Sequence, residues 1–167
     1  MAGQLFVCLV TVLVWNLISY EADGVTPAHT SHHLSKRNVA QLCSLIQLYT
    51  NRNCLGYMGY GCFCGLGGVG TTPVDDTDNC CLTHDNCYTD AGKLCGWLSP
   101  PHLVTYKKSC NGTRCTCEDS QSKHPCRYKT CQCDLEFAQC LTLHTYDNKY
   151  AKYDKKKCKE QNIKTKP

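Results

Sequence analysis

The sequence predicts a mainly α, disulfide-rich domain, and three observations carry that prediction. Seventeen of the 167 residues are cysteine, a density at which cross-links or metal shape a fold. Two long stretches place apolar residues at intervals of three and four, which is helical spacing. One short segment alternates about an Asn-Gly turn, the signal of a small hairpin.

Leu5–Trp15 (LFVCLVTVLVW) is an apolar run too short to span a membrane comfortably. It reads as the core of a signal peptide covering residues 1–24, with Ala22 and Gly24 suiting cleavage after Gly24. Residues 25–37 are polar, lack periodicity and end in the dibasic pair Lys36-Arg37, so they read as a pro-segment. The mature domain is then 38–167, secreted and extracellular. Losing the signal removes Cys8, and the sixteen cysteines left are an even set in an oxidising compartment. That favours disulfides over zinc. Spacing does not choose among the pairings.

Within the mature chain, Val39, Leu42, Leu45 and Ile46 mark an N-terminal helix over Asn38–Thr50. Tyr60–Gly70 (YGCFCGLGGVG) is too rich in glycine to be anything but a loop. Asp78 is placed to cap a helix running through about Tyr88, with acidic residues at its start as the macrodipole prefers. Gly96–Val104 is a loop broken by prolines. Thr105–Cys117 is the hairpin, and Asn111-Gly112-Thr113 in its turn is a glycosylation sequon. Tyr128, Cys131, Leu135 and Ala138 mark a second long helix over Cys126–Leu143. Net charge is +4, with lysines gathered in Lys149–Lys159. This is a modest bias toward anionic surfaces and no nucleic-acid footprint. No repeat and no second domain is visible.

The chemistry concentrates in Cys80–Tyr88 (CCLTHDNCY). On a helix, Cys80, His84 and Tyr88 share a face, and Asp85 points about 100° away. Three cysteines clamp these two turns, which is the rigidity a catalytic group needs. Just upstream, glycines 65, 67 and 68 free the backbone of CFCGLGG to turn its carbonyls inward. Carbonyls plus one carboxylate form a hard oxygen site of the kind calcium prefers.

At these residues the chain resembles the secreted phospholipase A2 family. YGCFCGLGG followed by CCLTHDNCY carries the likeness. It continues through CQCD (Cys131–Asp134), the YKKSC segment with Tyr106, and NKYAKYDKKKC closing on Cys158. It covers nearly the whole mature chain. Asn86 after His84-Asp85, and the lack of cysteine beyond Cys158, are similar to the group I, pancreatic and elapid pattern. The resemblance implies two long antiparallel helices cross-linked by disulfides, an N-terminal helix, a glycine-rich calcium loop and a small β-hairpin. It implies the bridges Cys62–Cys158, Cys64–Cys81, Cys80–Cys140, Cys87–Cys133, Cys95–Cys126 and Cys117–Cys131. Cys43, Cys54, Cys110 and Cys115 are left to form two pairs that it does not assign. Thr130 stands where the family often has an apolar residue.

By the same resemblance, the reaction is hydrolysis of the sn-2 ester of a glycerophospholipid. His84 is the general base for water. Asp134 orients it, and Tyr88 and Tyr106 hold Asp134. Asp85 and the carbonyls of Phe63, Gly65 and Gly67 take Ca2+. The chain has no G-x-S-x-G elbow and needs no serine nucleophile. The partner is a phospholipid bilayer or micelle surface, with Val39, Leu42, Trp97 and Leu98 as candidate anchors. Helical spacing does not separate core-facing from lipid-facing positions. His102, His124 and His144 read as surface residues. The alternative is a non-catalytic homologue acting as a toxin or receptor-binding module; loss of Asp85 or His84 would be its sign, and both are present.

Overall fold

The computed structural model describes residues 28–164, with side chains described over 38–159. The signal-peptide reading lies outside these residues. The chain divides into two units, Met1–Ser31 and His32–Pro167, and the site lies in the second.

Helix α1 spans Ala28–Thr50. It starts upstream of the predicted Asn38 because no glycine or proline interrupts the chain between Pro27 and Gly56. The Lys36-Arg37 pair therefore lies on a helix rather than in an irregular segment. At its other end, Asn51 adopts a left-handed φ of 54° and its N–H closes on the Gln47 carbonyl at 3.0 Å, an αL stop. Leu45 and Ile46 are buried. Leu42 leans partly onto the core while Val39 stays exposed, so the two candidate anchors on this helix part company.

Helix α2 spans Asp76–Gly92. Its cap is Asp75, whose side chain accepts the Asp78 N–H at 2.8 Å. Asp78, expected as the cap, is drawn elsewhere. Helix α3 spans Pro125–Thr142, with proline in its first turn, where a missing N–H costs nothing. Cys80–Cys140 and Cys87–Cys133 join α2 to α3. The residue earlier in one helix is bonded to the residue later in the other, so the two run antiparallel. Thr130, the polar departure in α3, is fully buried. Its hydroxyl is satisfied at home by donating to the Cys126 carbonyl at 2.9 Å.

Strands β1 (Lys108–Asn111) and β2 (Arg114–Cys117) form the hairpin, with Cys110 opposite Cys115. The structure resolves the four unassigned cysteines. Cys110 bonds Cys115 across the hairpin, and Cys43 bonds Cys54 in the 3-10 turn behind α1. The other bridges are Cys62–Cys158, Cys64–Cys81, Cys95–Cys126 and Cys117–Cys131. Closing a loop as long as Cys62–Cys158 removes denatured-state entropy worth about 4–5 kcal/mol. The final helix, α4, spans Lys155–Lys164 and carries most of the lysines gathered near the end of the chain.

One apolar cluster packs Ile46, Tyr57, Tyr60, Phe63, Phe137 and Leu141 among the disulfides. A second packs Leu45, Tyr106 and Ala138. The first draws on α2 and α3 and the second on α3, the helix that carries Asp134.

Candidate active site

Asp134 is wholly buried on α3. A carboxylate there is tolerable only if donors satisfy it. Three do. His84 Nε2 lies 2.9 Å from Oδ1. The Tyr88 hydroxyl donates to Oδ1 at 2.7 Å, and the Tyr106 hydroxyl donates to Oδ2 at 2.6 Å. Burial, and then the Asp134 charge, push both phenols far above their ordinary range, so they stay protonated donors. With Nε2–H directed at Asp134, Nδ1 of His84 keeps its lone pair free. The imidazole is stacked on Phe137 (centroids 4.6 Å apart) and tilted against Tyr88 (4.3 Å). Phe137 is a wall of the site that sequence reading did not single out, although it sits one turn beyond Asp134.

The glycine-rich loop is anchored by Asp78. Its buried carboxylate accepts the N–H groups of Cys62 and Phe63 at 2.8 Å each and of Val74 at 3.0 Å. Gly61 must be glycine on two counts. Its φ is +55°, and a Cβ there would fall 2.3 Å from the Asp78 carboxyl carbon. Removing Asp78 would orphan three N–H groups in a dry site, each costing about 1–3 kcal/mol when unsatisfied, with some relief from entering water. Asp78→Ala is therefore expected to lower stability by about 2–4 kcal/mol in denaturant titration.

The loop divides its carbonyls. That of Cys62 accepts Val69 N–H at 3.0 Å, and that of Cys64 accepts Gly59 N–H at 3.1 Å. Those of Phe63, Gly65 and Gly67 accept no hydrogen bond among the described residues. Asp85 borders the same loop, since a Cβ on Gly68 would lie 3.3 Å from its Oδ2. No described donor engages the Asp85 carboxylate. Desolvation pushes its carboxyl above the usual range, with His84 and Lys155 pulling the other way. Three uncommitted carbonyls beside a carboxylate that no described donor engages are a donor set of hard oxygens, and they fit a calcium ion.

Two residues in the middle of α1 brace this network. Asn38, itself buried, donates from Nδ2 to the Val104 carbonyl at 2.5 Å. Gln41 grips Tyr106 twice. Its Nε2 donates to the Tyr106 carbonyl at 2.6 Å, and its Oε1 accepts the Tyr106 N–H at 3.3 Å. Tyr106, one of the two tyrosines that hold Asp134, is thus held from α1. Nothing in the spacing of Asn38 and Gln41 announces this, because the partners lie some 65 residues away.

Of the candidate anchors, Trp97 is 89% exposed, Leu98 72% and Val39 51%. Leu55, Met58 and Leu66 on and beside the loop are exposed too, Leu66 by 95%. They add apolar surface that sequence reading did not name. Asn111 is exposed at the hairpin tip. His102 and His124 are exposed, whereas His144 is half-buried, 3.8 Å from Asp76. His144 also lies near Cys80 and Cys140, but those sulfurs are bonded to each other and offer no thiolate to a metal.

A family model described as Phospholipase A2 matches residues 39–164. A "Phospholipase A2" of Calliactis polypus is 38% identical over 161 residues, 93% of each chain. A "Phospholipase A2" of Oryctolagus cuniculus is 46% identical over 99 residues, 58% of this chain and 67% of its own. The "Acidic phospholipase A2 homolog taipoxin gamma chain" of Oxyuranus scutellatus scutellatus is 42% identical over 113 residues, 65% of this chain and 72% of its own.

Proposed function

Since the chain belongs to the phospholipase A2 family and is a phospholipase A2 enzyme, we propose that it cleaves the sn-2 ester of glycerophospholipids outside the cell, with calcium, through His84 and Asp134. The single observation that carries this is the convergence on Asp134 of His84, Tyr88 and Tyr106 beside the Asp85 loop.

Each residue has a task. Nδ1 of His84 takes a proton from water as its oxygen adds to the ester carbonyl carbon. Asp134 stabilises the imidazolium so formed and holds the ring in the tautomer that leaves Nδ1 free. The same Nδ1–H then protonates the departing glycerol oxygen, giving a fatty acid and a lysophospholipid. Tyr88 and Tyr106 fix both carboxylate oxygens, and Cys87–Cys133 fixes the spacing of α2 and α3 beside them. Asp85 and the carbonyls of Phe63, Gly65 and Gly67 would hold the metal. When bound there, calcium would supply a Lewis acid for the ester carbonyl and a counter-charge for the lipid phosphate.

The test is an assay of purified mature protein on monomeric and aggregated lipid, with the released chains identified. Release of the sn-2 acyl chain, faster on aggregated lipid, is expected. Release from sn-1 alone would overturn the sn-2 assignment, and no release would favour a non-catalytic homologue; the Oxyuranus relative's printed name calls that protein a homolog.

The exposed Trp97 supports docking on lipid, because an indole buries its ring while its N–H stays wet. Burying such a side chain is worth on the order of 1.5–3 kcal/mol. Trp97→Ala is expected to weaken vesicle binding by about tenfold to a hundredfold and to spare hydrolysis of a soluble short-chain ester. A parallel fall in both would make Trp97 a structural residue.

Processing is part of the same proposal. Protein from its natural source is expected to begin at Asn38 and to carry sugar at Asn111. N-terminal sequencing, and mass before and after deglycosylation, check the two points. A start at Val25 would show that Lys36-Arg37 is not cut.

A further inference from the structure

Lys155, Lys156 and Lys157 open α4. A helix N-terminus carries partial positive charge, so three successive cations there are unfavourably placed. Two of them escape into water. Lys156 is exposed, and Lys157 is exposed with its ammonium 5.7 Å from the Tyr153 ring. Lys155 does not escape. It turns inward, and its Nζ donates to the Cys62 carbonyl at 2.7 Å, the same carbonyl that accepts Val69 N–H across the loop. The ammonium therefore sits where the two arms of the glycine-rich loop meet.

It is also held there. Cys158, one turn along α4, is bonded to Cys62. Gly70 backs onto Cys158 so closely that a Cβ would fall 2.8 Å from its carbonyl oxygen. Asp78 and Asp85 are the carboxylates whose charge reaches Lys155, and neither forms an ion pair with it among the described residues. Asp78 is committed to three loop N–H groups, so Asp85 is the carboxylate whose occupancy can change. Lys155 is partly desolvated in this position.

We infer that Lys155 is a built-in counter-charge of the calcium loop, partly offsetting the charge of Asp85 and Asp78 in the metal-free protein and lowering the affinity of the loop for the ion. This rests on the calcium reading given above. Lys155 is a positioning and tuning residue and touches no reacting atom. A fixed unit charge near a divalent ion opposes its binding. At separations of several ångströms, in surroundings close to water, the effect is roughly threefold to tenfold in Kd. Extracellular calcium modules work with dissociation constants of about 10⁻⁴–10⁻³ M, and a resident cation is a simple means of keeping affinity in that range while the loop stays ordered without metal.

The experiment is calorimetric titration of calcium into the full mature chain at low ionic strength. Lys155→Met is expected to tighten binding roughly threefold to tenfold. Lys155→Gln, which keeps an N–H for the Cys62 carbonyl, is expected to do the same. Lys155→Arg should restore the parent value, and Lys156→Met should change it by less than about twofold. Either neutral variant binding calcium no more tightly than the parent, with an unchanged melting temperature, overturns the inference and makes Lys155 a brace of the loop. If Lys155→Met loses order, the Gln variant decides. If the parent itself binds no calcium, the loop reading fails first and this inference falls with it.

Discussion

His84→Gln is expected to lower the rate of lipid hydrolysis by about 10²–10⁴-fold, the range that a positioned general base supplies. The fold should survive, because the ring is held by stacking on Phe137 and Tyr88 and by one bond to Asp134. Two tyrosine donors remain to satisfy that carboxylate. Vesicle binding should also survive, since the exposed apolar residues lie elsewhere. The loss should therefore fall on kcat, with little change in affinity for the interface. Activity within tenfold of the parent would mean that water is activated by some other group, and the dyad would have to be abandoned.

Asp85→Lys should abolish hydrolysis to a comparable degree, by about 10³-fold or more. The route is different. An ammonium cannot ligate a cation, and it adds positive charge where Lys155 already stands. Asp85 is exposed and makes no side-chain hydrogen bond among the described residues, so the helix should tolerate the change. Excess chelator should reproduce the loss in the parent protein, and added calcium should reverse it there but not in the variant. Liposome hydrolysis that persists in chelator would rule out the metal.

Helices α1 and α3 were legible because their apolar residues repeat at three and four, α2 because acidic residues gather at its start, and the loop because glycine allows little else. His84, Asp85 and Asp134 were legible only as a motif. Taken singly, an imidazole or a carboxylate in a helix says nothing. What stayed hidden depends on partners distant in sequence. Asp78 has the composition of a helix cap and the geometry of a loop anchor, a difference set by the approach of Cys62 and Phe63. Asn38 and Gln41 look like ordinary polar helix residues until Val104 and Tyr106 arrive. Cys43, Cys54, Cys110 and Cys115 could not be paired by spacing. The structure gives each a neighbour close in sequence, through a turn in one case and a strand register in the other.

Those local pairings leave the molecule with an uneven covalent graph. Cys62 through Cys158 are tied into one body, and within it α2 and α3 cannot part. The bridge Cys43–Cys54 closes only on the turn directly behind α1. Among the described residues, α1 reaches the rest of the chain covalently through a single peptide thread, residues 55–61. Pulled from its N-terminus, the protein would peel α1 away at low force and then stop against bonds that force must break. Amide protons of α1 should accordingly exchange faster than those of α2. Because Asn38 and Gln41 ride on α1, the catalytic network can be uncoupled by a detachment that leaves the body of the molecule folded. Loss of activity and loss of fold are then separate events, and they should be seen at different denaturant concentrations.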